Sequence, residues 1–298
     1  MKNALIFYYN LYSNDIRQVS GNYKIFVDDN KYVLFNCDSH VNNINFVYYI
    51  SNYLLNKHIN VHQIILNNSN QIITFINNIP HVLMKIFVDD EYVTLNDVIN
   101  FSNIAIEENE NIKFHKWSQL WEQKVDYMEY QISQFGKKYS IIRSSFSYYI
   151  GLAENSIMLS KMVENNISFN NISHRRINNK DKLFDLYNPF NLIIDYKVRD
   201  VCEFFKSRFF IDNDIYDEII YFLSYSNYNP NELIAFFARF LYPSYYFDMY
   251  EKIINNDYNE KNLLVIIDKA EDFEKIIKKL YSYLRIRISM PDIEWLIN

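Results

Sequence analysis

A chain of 298 residues carrying a net charge of −6 has ample length for a buried core, and it lacks the basic stripe expected of a nucleic-acid binder. Its three glycines, Gly21, Gly136 and Gly151, stand alone, which excludes the glycine-rich loops that cradle phosphates: neither G-x-G-x-x-G nor G-x-x-x-x-G-K-[ST] can be written. Two cysteines, Cys37 and Cys202, give no disulfide framework and suit a reducing compartment.

In chain order, the apolar run at 4–9 follows one lysine and lacks the small-residue cleavage site of a secretory signal. Residues 23–27 and 32–35 flank Asp28-Asp29-Asn30 and predict a β-hairpin about a polar turn. Residues 46–55 fit a helix. The uncharged stretch 39–56 around it is interrupted by asparagines and makes no membrane span. Residues 64–66 and 71–76 flank Asn67-Asn68-Ser69-Asn70 and predict a second hairpin; 81–88 reads as a further strand, closed by Asp89-Asp90-Glu91.

From about residue 95 the period changes. Trp121, Val125, Met128, Ile132 and Phe135 recur at the spacing of a core-facing helix. Asn229-Pro230-Asn231-Glu232 is a helix start: Asn229 can cap, Pro230 suits the first turn, and Glu232 can reach back. Phe273, Ile276, Ile277, Leu280 and Leu284 mark a late helix. The outline is a β-rich lobe over 1–95 and a larger helical lobe over 96–298, with a hinge near 89–97.

The 27 tyrosines and 23 phenylalanines accompany abundant Asn, Ile and Lys. All five types have codons built from A and T alone, so an AT-rich genome accounts for them without a base-stacking surface. The basic clusters His174-Arg175-Arg176 and Lys278-Lys279 are too short for a polyanion patch. A cytoplasmic protein with no membrane or nucleic-acid partner is expected.

Four segments carry a resemblance: YYIGLAENSI at 148–157, DYKVRDVCEF at 195–204, RFLYPSYYFDMYE at 239–251 and MPDIEWL at 290–296. Together they resemble the bacterial endospore coat-associated, kinase-like family of the YutH type, related to CotS and to the aminoglycoside and choline phosphotransferases. The resemblance implies an α+β, protein-kinase-like (aminoglycoside phosphotransferase-like) bilobal fold and a role in sporulation, with spore coat or sporulation proteins as partners. Within these segments Arg199, Asp200, Tyr245 and Asp248 read first as structural residues: a helix-start ion pair, and the wall or core of the helical lobe. Gly151 reads as a tight backbone position.

Phosphoryl transfer on such a fold needs a phosphate loop, a lysine, an Asp at the substrate hydroxyl, and Asn and Asp on metal. The first hairpin offers Asp28 and Asp29 where phosphates would be repelled, and the next strand ends on Asn36 instead of a lysine. Relatives carry H-x-D shortly before the second matched segment; here that place holds His174-Arg175-Arg176. Arg176 has no acceptor and cannot take a proton, a loss worth about 10²–10⁴ in rate. In a second register Asp185 is the base and Asn191 and Asp195 hold metal, which needs a one-residue insertion and puts Leu183 at the histidine position. His58 and His62, four apart, could share a helix face, but zinc wants a third ligand.

The expectation is therefore a degenerate, pseudokinase-like binding or scaffolding protein with no catalytic residue, metal or cofactor. The alternatives are a phosphotransferase using Mg-ATP through Asp185, Asn191 and Asp195, and a helical interaction module that is not kinase-like.

Overall fold

The computed structural model describes residues 1–88, 90–107, 115–212 and 214–297, with the side chain of Phe135 outside that set. In chain order the elements run α1 Lys2–Tyr9, β1 Asp15–Val19, β2 Asn22–Val27, β3 Asn30–Asn36, α2 Ile44–Asn56, β4 Gln63–Ile65, β5 Thr74–Ile76 and β6 Ile79–Ile86. Then follow α3 Leu95–Ser102, α4 Trp117–Phe135, α5 Ser140–Val163, β7 Asn171–His174, α6 Leu183–Leu186, β8 Leu192–Asp195 and α7 Arg199–Phe209. The chain closes with α8 Tyr216–Tyr225, α9 Pro230–Leu241, α10 Ser244–Ile254, α11 Leu264–Ile267, α12 Ala270–Arg285 and α13 Glu294–Ile297. It clusters into two compact units: Met1–Thr94 with His174–Ile193, and Leu95–Ser173 with Ile194–Asn298. Asp89, in the expected hinge, lies outside the described residues.

The smaller unit is built on an antiparallel sheet of order β1-β2-β3-β6-β4, with β5 also paired to β6. Strand alternation divides its side chains between two faces. On one face Val33, Val82, Met84 and Ile86 pack with Ile44 and Val47 of α2. On the other, Ile25, Leu34 and Leu83 pack with Leu5 of α1.

The hairpin of β2 and β3 forms where expected, pairing Val27 with Asn30 about Asp28-Asp29. An earlier hairpin precedes it: β1 pairs with β2 about Ser20-Gly21, whose φ angles of 48° and 80° make a mirror-image turn that follows the strand twist. The expected hairpin of 64–66 with 71–76 does not form. Both β4 and β5 pair with β6 instead, and Asn77 and Asn78, at φ 51° and 64°, supply the true turn between β5 and β6. Asn67 shapes the intervening loop, its Oδ1 accepting from the backbone of Ser69 and Gln71.

In the helical unit the expected stripes are buried apart from Ile132, which is half-buried, and Phe135, whose side chain lies outside the described residues. Trp121, Val125 and Met128 of α4 are buried, as are Phe273, Ile276, Ile277, Leu280 and Leu284 of α12. Asn229 caps α9 by accepting from Asn231 and Glu232, and Glu232 Oε2 accepts from the Asn229 backbone at 2.9 Å, completing the capping box. Among the described residues no helix is long and apolar enough to cross a membrane. The sheet of the smaller unit sets aside the non-kinase helical module.

Gly151 corrects its expected role: it lies inside α5, and an added Cβ would meet no atom within 4 Å. We expect Gly151→Ala to raise stability by about 0.5–1 kcal/mol, because alanine is the better helix former. Gly21→Ala should lower stability by about 1 kcal/mol through its left-handed φ. Urea denaturation of the two variants checks both signs.

Candidate functional site

The residues expected to hold chemistry cluster between β7 and β8, which form a two-stranded sheet. The segment 174–193 packs with the smaller unit, where Phe190 is 1% exposed within the core beneath the sheet and Phe184 lies against the same cluster. The Phe190 ring sits 4.6 Å from that of Phe35 and 5.3 Å from His40. What remains open beside Phe184, Val33, Ile86 and Lys24 is about 10 Å³, room for at most one water.

Two buried histidines pin this segment. His62 Nε2 donates to the carbonyl of Phe184 at 3.0 Å, and its backbone N donates to Tyr187 O at 2.9 Å. His174 Nε2 donates to the carbonyl of Leu186 at 2.9 Å. The proposed sharing of a helix face by His58 and His62 does not occur, because α2 ends at Asn56 and His58 takes a left-handed φ of 59°. Arg175 and Arg176 are exposed, and Arg176 Nη1 reaches the Arg175 carbonyl at 3.3 Å.

Asp185 and Asn191 are close, joined through the Asn191 amide nitrogen and the Asp185 backbone carbonyl. Asn191 Nδ2 donates to the backbone carbonyl of Asp185 at 3.0 Å, while the Asp185 carboxylate turns to the Lys182 backbone N at 3.5 Å, at the start of α6. Asp181 in the same segment accepts from the backbone and side chain of Asn178, and burial raises its carboxyl above the usual range.

Asp195 belongs to the helical unit and both of its oxygens are engaged. Oδ1 accepts from Trp117 Nε1 at 2.8 Å and from the Tyr196 backbone at 2.7 Å; Oδ2 accepts from Arg199 Nη1 at 2.6 Å. Trp117 stacks on Trp121, which stacks on Tyr242, and the Arg239 guanidinium lies over both indoles. Arg239 Nε in turn donates to Glu203 at 2.6 Å, and Lys206 pairs with the same carboxylate at 2.8 Å while donating to Ser244 Oγ. Burial pushes the Glu203 carboxyl upward, but Arg239 and Lys206 outweigh it and hold it well below the usual range. Sequence reasoning did not single out Glu203, Lys206 and Arg239; their only signal was charge amid apolar neighbours.

The matched segments meet in this packing. Asp200 is fully buried in the first turn of α7. Tyr149 of the first segment stacks on Tyr246 of the third, with centroids 3.8 Å apart. Tyr245 is half-buried against Phe210, and Asp248 is half-buried on α10. Tyr281 Oη ties the fourth segment down through the Pro291 carbonyl and the Ile293 backbone N. Among the described residues no group of three or more His, Cys, Asp or Glu could hold a metal ion.

Against known proteins, the family described as "Spore coat putative kinase YutH" matches residues 2–285, so the fourth segment falls beyond the match. No curated protein matches the chain. Among solved structures, an aminoglycoside phosphotransferase from Alicyclobacillus acidocaldarius is similar with a TM-score of 0.70 at 10% identity, covering 96% of this chain and 97% of the other. The AMP-bound spectinomycin phosphotransferase APH(9)-Ia aligns with a TM-score of 0.59 at 11% identity, covering 94% and 97%. Amicoumacin kinase hAmiN, in complex with AMP-PNP, Ca²⁺ and Ami, aligns at 0.54 and 10% identity, covering 93% and 92%. The fold is thus the bilobal α+β fold of the aminoglycoside phosphotransferases.

Emptying the space of Phe190 should cost about 3–5 kcal/mol in Phe190→Ala, the scale of a large core cavity, read by chemical denaturation. A cost under 1 kcal/mol would mean that the segment is only loosely seated. A carboxylate held below its ordinary value of 4.5 stabilises the fold fully above that pH and progressively less as acid protonates it. Stability should therefore fall below about pH 4.5. Glu203→Gln, though weaker at neutral pH, should lose less over the same acid range.

Proposed function

The chain belongs to the YutH family of spore coat kinase-like proteins, and from that premise we propose that it is a non-catalytic kinase-fold protein. It acts by binding or scaffolding other spore coat or sporulation proteins. The observation that carries this most is the seating of Phe184 and Phe190 on the sheet, by a segment whose family counterpart bears the catalytic loop.

The donor chemistry supports the same reading. On this fold a nucleotide's phosphates call for a covering loop, a β3 lysine and its acidic partner on the following helix. The loop between β1 and β2 is the two-residue turn Ser20-Gly21, the shortest that closes a hairpin. This relocates the phosphate-loop position from Asp28-Asp29-Asn30, because β1 makes that turn the second one. On the α2 side of the sheet β3 presents Lys31 only at its start, then Val33 and Phe35, and α2 contains no acidic residue. Arg176 stands in place of the base. Asp195 already accepts from Trp117, Tyr196 and Arg199, so both of its oxygens are engaged in the packing of the helical unit. These residues do not fit Mg-ATP.

A surviving phosphotransferase using Asp185, Asn191 and Asp195 is the competing reading, supported by the nucleotide complexes of the structural neighbours. Mg-ATP separates the two. A ligand present at 100 times its Kd adds about 2.7 kcal/mol to stability. We expect no change in melting temperature up to millimolar Mg-ATP. A saturable rise, together with ATP turnover that Asp185→Asn abolishes, would overturn the proposal.

A further inference from the structure

One cavity of the helical unit has no part in the chemistry above. It measures about 410 Å³, within the roughly 300–1,000 Å³ range of small-molecule sites, and lies among α3, α8 and the chain following α8. Its lining mixes rings with amides: Tyr221, Tyr225 and Tyr228 from α8 and the chain after it, Asn96 and Asn103 from α3 and its end, and Lys197 from the turn before α7.

Two charged side chains line this cavity, Lys197 and Glu218, and the carboxylates of Glu232 and Asp200 act on Tyr228 from behind its wall. Glu218 also lines it, but both of its oxygens accept from Arg208 Nη1, so it is already neutralised. Lys197 is half-buried, and among the described residues its recorded contact is the ring of Tyr228, 5.6 Å from the ammonium to the centroid. A half-buried ammonium in a cavity recruits one negative charge. A lone ammonium acts as a point charge and can pair with a single carboxylate without the bidentate geometry of a guanidinium.

The rings set the rest of the ligand. Tyr221 and Tyr225 stack obliquely 4.8 Å apart and are 68% and 75% exposed, leaving a paired aromatic surface in water. A flat ring slid among them would recover that area in offset or edge contacts. The amides of Asn96 and Asn103 each offer donor and acceptor to a polar ring substituent.

We propose that this cavity binds a small aromatic monocarboxylate, its carboxylate paired with Lys197 and its ring among Tyr221, Tyr225 and Tyr228. The site lies wholly in the helical unit and does not depend on whether nucleotide binds.

Calorimetric titration of the full chain with 4-hydroxyphenylacetate tests it, with 4-hydroxyphenylacetamide as the uncharged control. We expect saturable binding of the acid, and binding of the amide weaker by about tenfold or more, the value of a hydrogen bond to a charged group. Lys197→Met should weaken the acid to the level of the amide while leaving the melting temperature of the free protein unchanged. Should that variant fold poorly, raising the salt concentration with the parent protein must weaken the acid and leave the amide unaffected. Absence of saturable binding at millimolar acid, equal binding of acid and amide, or indifference to both Lys197→Met and salt would each overturn the proposal.

Discussion

Two phenylalanines on a short segment between β7 and β8 close the α2 face of the smaller unit's sheet, and the character of that unit follows from them. Phe190 is as buried as any strand residue, and Phe35, on the strand where a phosphate-binding lysine would sit, meets it ring to ring. Burying one such side chain contributes about 1.5–3 kcal/mol. A segment held by that much apolar contact and by two histidine hydrogen bonds is a fixed part of the core. Within it, the Asn191 amide nitrogen donates to the Asp185 backbone carbonyl and the Asp185 carboxylate faces the Lys182 backbone at the start of α6.

The helical unit depends on a different constraint, a buried charge network. Glu203, Lys206 and Arg239 are costly to bury singly and tolerable only together, since their attraction must offset lost hydration. Arg239 extends the network onto Trp117 and Trp121, and Trp117 passes it to Asp195 and Arg199. Two of the segments that signal the family therefore meet in one packed array. Within that array the two segments are joined by charge pairing and stacked rings.

Local features were legible in the sequence. The capping box at Asn229 and the apolar stripes of α4 and α12 depend only on residues within a few turns of one another. Partnership was less legible. Propensity marks 64–66 and 71–76 as strands but does not say that both will choose β6, a choice made by the paired left-handed asparagines at 77 and 78. The hairpin of β1 and β2 escaped notice because Asp15 to Val19 alternates charged and apolar residues weakly and its turn carries a single glycine. Arg239 and Glu203 are 36 residues apart and find each other only through the fold. The segment 174–193 is the sharpest case: its motif letters suggest degenerate chemistry, but only the structure shows Phe184 and Phe190 turned into the core.

The most direct measurement is amide hydrogen exchange across residues 183–192, compared with strands β3 and β6. If the segment is a built-in plug, its backbone should exchange as slowly as those strands and keep the same protection when saturating Mg-ATP is added. Exchange on the timescale of an open loop, or protection that appears only with nucleotide, would contradict the account.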